Sequence, residues 1–267
     1  MRITVAHSPD ADDAFMFYAL ARGKIDTGGL TFTHTLQDIQ KCNEDALHRR
    51  FDVTAISFAA YPEVAKHYLL MTSGASMGEK EYGPVLVAKQ AIAPEAVVDK
   101  TIAIPGKNTT AALLLKMAFP EAKNLKVYPF NQIMGAVLED KADVGLLIHE
   151  GQLTHEQAGL VAIFNFGRWW WEKENLPLPL GGNVIAKDLD PAVRSQVNRL
   201  LKQSIQYALD HRAEALDYAL QFARGLDPEV ANRFVGMYVN ERTLDYGPEG
   251  KRAIERLLKM KPELVDG

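Results

Sequence analysis

A chain of 267 residues can form one large domain or two modest ones, and its formal charge of −4, from 30 Lys and Arg against 34 Asp and Glu, is scattered rather than striped. That pattern argues against nucleic acid and makes a small molecule the expected partner. The single cysteine excludes a disulfide framework, no apolar run approaches the ~18 residues of a membrane span, and the opening "MRITVAHSPDADD" lacks an export signal, so a cytoplasmic protein with no membrane partner is expected.

The first predicted unit is a strand, "RITVAHS", followed by a helix, "PDADDAFMFYALARG", with Gly23 beyond its end. Asp10, Asp12 and Asp13 have the composition of a hard-metal cluster, yet acidic residues are also what the positive end of a helix dipole prefers; the cap reading is favoured and no metal is expected. Cys42 falls within the predicted helix "DIQKCNEDALHRR" as a small packed side chain. The next strand, "DVTAIS", places Thr54 and Ser57 toward its carboxyl end, where they can hydrogen-bond a ligand.

After the extended segment "GPVLVAK", the stretch "KTIAIPGKNTTAALLLKMAF" repeats the strand, turn and helix of the amino terminus. Thr109 and Thr110 fall in the first turn of that helix, where free N–H groups suit an anion; a carboxylate-binding corner and a plain helix cap are both open readings. A phosphate loop is not, because the second glycine of that motif is missing.

"ADVGLLIHEGQ" is uniformly apolar until it ends in His149 and Glu150. The run reads as a parallel strand covered on both faces, and open α/β sheets place ligands at the carboxyl ends of such strands. His149 is therefore a candidate general base, its imidazole held neutral near pH 7, with Gly151 turning the backbone away. A histidine that merely bonds a nearby carbonyl is the competing reading. Zinc is rejected, since His149 and His155 are six apart and the helical HExxH spacing is absent. Glu150 is expected to cap the next turn.

Trp169, Trp170 and Trp171 precede "ENLPLPLGG"; most are expected in a core, with a place on the cleft wall as the alternative. After the extended segment "GGNVIAK" the chain reads as helical to its end, opening with Asp190 and Pro191 at a helix start and an apolar face of Val193, Val197, Leu200, Leu201, Ile205 and Ala208. These helices read as scaffold, with Tyr207 and Tyr218 structural.

Three internal echoes stand out: the two strand–turn–helix units, "DVTAIS" against "DVGLLIH", and "GPVLVAK" against "GGNVIAK". Together they predict an α/β protein of two similar lobes with a central cleft, residues 1–86 and 185–267 forming a large lobe and 87–184 a small one, the helical carboxyl-terminal segment packing on the first.

The motifs "HSPDADDAFMFYAL", "GKNTTA", "LLIHEGQ" and "WWWEKENLPLPLGG" together resemble the 1,4-dihydroxy-6-naphthoate synthase family of the futalosine route to menaquinone, over nearly the whole chain. The resemblance implies a two-lobed, type II periplasmic-binding-protein-like fold and a lyase that cleaves cyclic dehypoxanthine futalosine without a cofactor. It implies that His149 is the base, that Thr109 and Thr110 contact substrate, and that the run Thr54, Ala55, Ile56 and Ser57 does so from the other lobe. Ser8, Pro9 and Asp13 match the family's opening motif. Chorismate dehydration, housed on the same fold, and non-catalytic capture of a small carboxylate are the alternatives.

Overall fold

The computed structural model describes residues 1–222 and 227–265. Its first lobe opens with β1 (Arg2–His7), α1 (Ala11–Ala21), β2 (Thr31–Leu36), α2 (Ile39–Ala46) and β3 (Val53–Ser57), followed by the short α3 (Tyr61–Val64), β4 (Tyr68–Leu70) and β5 (Ser76–Gly78). The chain then crosses into β6 (Val85–Ala88), β7 (Ile102–Ile104), α4 (Thr110–Ala118), β8 (Leu125–Val127), α5 (Ile133–Leu138), β9 (Val144–Leu147), α6 (Gly151–Thr154), β10 (Val161–Asn165) and α7 (Phe166–Glu174). It returns through β11 (Leu178–Ala186).

Two sheets result, ordered β2-β1-β3-β11-β4, with β5 also on β11, and β8-β7-β9-β6-β10. Read side by side they follow one plan. A central strand, β3 or β9, lies parallel to the strand of the opening unit, β1 or β7, and antiparallel to a strand that follows a crossing, β11 or β6. Both central strands are buried at every residue, which explains why their sequences do not alternate.

Pairing corrects the expected lobe boundaries. β11 is bound to the first sheet from Leu178 onward, through Leu178↔Gly78 and Gly181↔Ser57, so residues 178–184 pair with the large lobe and not with the small lobe expected from sequence. β6 belongs to the second sheet from Val85, paired with Leu147. A buried strand must satisfy its N–H and C=O groups along its length, so the crossings fall in the loops before each strand rather than within it.

The carboxyl-terminal helices are α8 (Pro191–Asp210), α9 (Arg212–Leu220), α10 (Pro228–Tyr238), α11 (Glu241–Leu244) and α12 (Gly247–Leu258). Asp190 caps α8 by accepting from Ala192 N at 2.8 Å, and Pro191 occupies the first turn, where no donor is missed. Val197, Leu200, Leu201, Ile205 and Ala208 pack with Phe15, Phe17 and Leu20 of α1 into a single apolar cluster. Tyr207 stacks on His211 at 4.0 Å, and Tyr218 packs against Tyr18. No described helix is long and apolar enough to cross a membrane.

Candidate active site

Between the lobes lies a cavity bordered by the carboxyl ends of β3 and β9 and by the starts of α1 and α4. Ile39, Ile56, Ile148, Leu180 and Phe234 form its apolar wall; Ser8, the three aspartates, Ser76, His149, Gln152 and Tyr238 also line it.

His149 lies two residues past the end of β9 and takes the left-handed conformation, φ +53°. The turn expected at Gly151 is thus made two residues earlier, by the histidine itself; Gly151 simply opens α6, and Glu150, in the cap position, makes no side-chain cap bond. Left-handed backbone costs a residue with a Cβ roughly 1–2 kcal/mol, so contacts must hold His149 in place. One is an ion pair: Nδ1 lies 2.8 Å from Asp10 Oδ2, on the other lobe. Phe130 packs edge-on against the imidazole, with centroids 4.6 Å apart.

The aspartates were expected to serve the start of α1. Asp10 does occupy the N-cap position but makes no side-chain cap bond, because its carboxylate is turned to His149. Asp12 Oδ2 accepts from Ser76 Oγ at 3.2 Å, and Asp13 Oδ2 accepts from Ser8 N at 2.8 Å, so only Asp13 satisfies backbone near the helix start. All three are buried. Asp12 Oδ1 and His149 Nε2 are buried without a hydrogen-bond partner.

Burial opposes both charges of the ion pair, but the pairing outweighs it. Burial would lower the His149 pKa; the charge of Asp10 and its contact, with Asp12 and Glu150 behind, raise it to about 9. Burial would raise Asp10, yet the His149 charge and contact hold its carboxyl well below the usual range. Asp12 and Asp13 are pushed up, first by burial and then by the Asp10 charge, Asp13 to about 8. The imidazole is therefore an imidazolium at neutral pH, not the neutral ring expected from sequence; the partner that charges it lies 139 positions away and left no local sign. Asp10, Asp12 and His149 also bring ligand-type atoms within 4.8 Å of one another, a convergence that the local HExxH test could not reveal.

Thr109 and Thr110 both line the cavity, but their hydroxyls are engaged. Thr109 caps α4, accepting from Ala112 N at 3.2 Å and donating to Gly106 O at 2.8 Å. Thr110 Oγ1 donates to Leu180 O at 2.6 Å and accepts from Ala59 N at 3.2 Å, binding the lobes together. What the start of α4 offers the cavity is backbone: Ala111 lines it too, in a first turn whose N–H groups have no helical acceptor.

On the opposing side Ala55, Ile56 and Ser57 line the cavity, and Thr54 does not. It lies deeper in β3, fully buried, its hydroxyl donating to Ala55 O at 3.0 Å. Ser57 is held by Asn43, whose side chain accepts from Ser57 N at 2.8 Å and donates to Ser57 Oγ at 3.2 Å. The tryptophans stand outside the cavity lining. Trp170 is fully buried with Nε1 donating to Pro177 O at 3.1 Å, and Trp169 packs against Phe164 and Phe166. Gln152, Phe234, Tyr238, Ser76 and Asn183 were missed. Phe234 and Tyr238 sit on α10, whose pattern of buried residues is that of any packed helix.

Comparison with known proteins follows the same lines. The profile of a family described as menaquinone biosynthesis matches residues 3–263. The chain is 35% identical over 255 residues to a 1,4-dihydroxy-6-naphthoate synthase of Thermus thermophilus, covering 96% of this chain and 92% of that one. It is 32% identical to a protein of the same name from Streptomyces coelicolor, covering 96% and 91%. A crystal structure of an Archaeoglobus fulgidus protein superposes with a TM-score of 0.92 at 44% identity, over 97% of this chain and 96% of that one. An alkanesulfonate-binding protein from Xanthomonas axonopodis pv. citri shares the fold alone, with a TM-score of 0.69 at 12% identity over 98% and 94%.

Proposed function

The chain belongs to the menaquinone biosynthesis family, among the 1,4-dihydroxy-6-naphthoate synthases, and we propose that its interlobe cavity cleaves cyclic dehypoxanthine futalosine with His149 as proton acceptor and Asp10 as its partner. The observation that carries this reading is the 2.8 Å pair between a histidine of one lobe and an aspartate of the other, in a cavity with an apolar wall and a helix start open to a carboxylate. Asp10 fixes one proton on Nδ1 and so leaves Nε2 as the atom that exchanges protons, the division of labour in any carboxylate–imidazole dyad.

In the proposed sequence the substrate's ring lies against the apolar wall, its carboxylate toward the first turn of α4. His149 Nε2, once free of its proton, takes the hydrogen of a substrate hydroxyl. The oxygen's electrons form a carbonyl, the adjacent carbon–carbon bond breaks, and its pair passes into the ring system that becomes aromatic. The sugar-derived fragment leaves with the new carbonyl. A placed base supplies ~10² to 10⁴ in rate; aromatisation makes the cleavage downhill.

The test is to mix the purified protein with the cyclic futalosine and follow naphthoate absorbance. Release of product is expected, with His149→Ala lowering turnover by about 10² or more while substrate still raises the melting temperature. A melting shift without product from the unaltered protein would instead mark a carboxylate binder, and full turnover by His149→Ala would remove the histidine from the reaction.

A further inference from the structure

The His149 turn is held by a second contact across the cleft. Gln152, three residues on, lines the cavity and donates its backbone N–H to His149 O at 3.2 Å. Tyr238, the last residue of α10 on the other lobe, donates its hydroxyl to Gln152 Oε1 at 2.7 Å. With the amide turned over, Gln152 donates to Gly83 O at 2.6 Å and to Tyr238 Oη at 2.7 Å, and accepts from the His149 N–H at 3.3 Å. In either orientation the Tyr238 hydroxyl and the Gln152 amide are joined. In the second the amide also closes the peptide group of the strained residue and anchors it to the crossing between β5 and β6. That crossing is itself packed: a Cβ at Gly83 would lie 2.8 Å from Gly167 N.

We propose that Tyr238 and Gln152 form an interlobe clasp that fixes the left-handed His149 turn, so that the imidazole meets Asp10 only when the cleft is shut. Both are positioning residues for the proton transfer, and the inference rests on the reading of His149 given above. A left-handed residue persists where its surroundings over-determine it, and an ion pair alone does not fix a backbone. The clasp does so through neutral groups, from the residue three positions on and from the opposite lobe. The groups facing His149 are Asp10, Asp12 and Asp13 from the start of α1 and Glu150 beside it, with Tyr238 reaching it through Gln152. Burial pushes the Tyr238 phenol up, so it stays a donor at neutral pH.

Tyr238→Phe removes only the hydroxyl, and Gln152→Met keeps the volume while removing the amide. The titration of His149, followed by its Cε1–H resonance and assigned by loss of that signal in His149→Ala, is the readout that a merely structural role would not move. Each variant should lower the His149 pKa from about 9, as its hold on Asp10 slackens. Each should also reduce kcat about tenfold with little change in KM, the mark of a misplaced reacting group. The double variant should be no worse than either single one, because the two residues act as a unit. Unchanged His149 titration and kcat in both single variants would overturn the clasp. Turnover retained by His149→Ala would sink the proton-transfer reading instead, while the resonance titration would still decide whether the clasp holds the turn.

Discussion

Replacing Asp10 by Asn removes the charge opposite His149 and keeps the shape of the side chain. Burial, the largest influence on the imidazole, lowers its pKa; Asp10 is the main reason the group sits at about 9. Without that carboxylate the pKa should fall below the ordinary 6.5, a loss of at least ~3 kcal/mol of preference for the imidazolium. The base is competent only when Nε2 is unprotonated. In the unaltered protein kcat/KM should therefore climb about tenfold per pH unit up to about 9 and then level, whereas in Asp10→Asn the climb should end below 6.5. The plateau should be lower, because an amide no longer dictates which nitrogen keeps the proton. Stability should move in step. A raised His149 pKa stabilises the fold fully below 6.5, and that contribution disappears as pH rises through about 9. A lowered Asp10 pKa stabilises it above 3.8 and less as pH falls below that. The pair thus contributes most between those limits, and Asp10→Asn should lose most stability there. A pH–rate profile of both proteins, with urea melts at matched pH, checks both. An acid limb still ending near 9 in Asp10→Asn would refute the assignment of the charge to this pair.

Thr110→Val, nearly isosteric, should destabilise by about 2 kcal/mol, since it leaves Ala59 N–H and Leu180 C=O without the hydroxyl that joins them; the urea midpoint measures it. Trp170→Ala should cost ~3–5 kcal/mol by emptying a fully buried site, and Trp169→Ala less. Neither should alter KM once folded, because neither ring lines the cavity.

The fold was legible because its two lobes repeat. Each echo in the sequence corresponds to one place in a shared sheet plan: β1 and β7, β3 and β9, β11 and β6. Burial on both faces leaves a mark in composition, as in "VGLL", and a helix start leaves one in spacing, as at Asp190 and Pro191. His149 could be found by the same logic, since a polar residue ending a buried strand is visible locally. Its protonation was not, because it depends on Asp10, a residue 139 positions away that the fold brings to the imidazole from the other lobe. The acidic run at the start of α1 was misread for the same reason. A helix cap and a cavity wall have the same local pattern, and the difference lies in what faces the carboxylates. Thr54 was misassigned by one step along a strand. Tyr238 and Phe234 carried no signal, since an aromatic residue at helical spacing packs on a core as readily as on a ligand.

The symmetry of the sheets makes the asymmetry of the cavity informative. α1 and α4 begin at corresponding places, each after the parallel strand of its lobe, and both helix starts border the cavity. The start of α1 is filled by its own aspartates, Asp10, Asp12 and Asp13. The start of α4 has no acidic residue in its first turn, only a threonine cap and unpaired N–H groups. An anionic ligand is thus drawn to the start of α4, whereas the start of α1 is already occupied by the Asp10 carboxylate, itself paired with His149. No lysine or arginine is among the described residues lining the cavity, so a carboxylate there meets dipoles rather than a full opposing charge. Such a hold orients a substrate without clamping it, which suits turnover: binding spent equally on substrate and transition state lowers KM without raising kcat. On the proposed reading the carboxylate end is fixed by backbone at α4, the reacting end is left to Asp10 and His149, and the direction in which the substrate lies is set by the helix start that α4 leaves open and α1 fills with its own side chains.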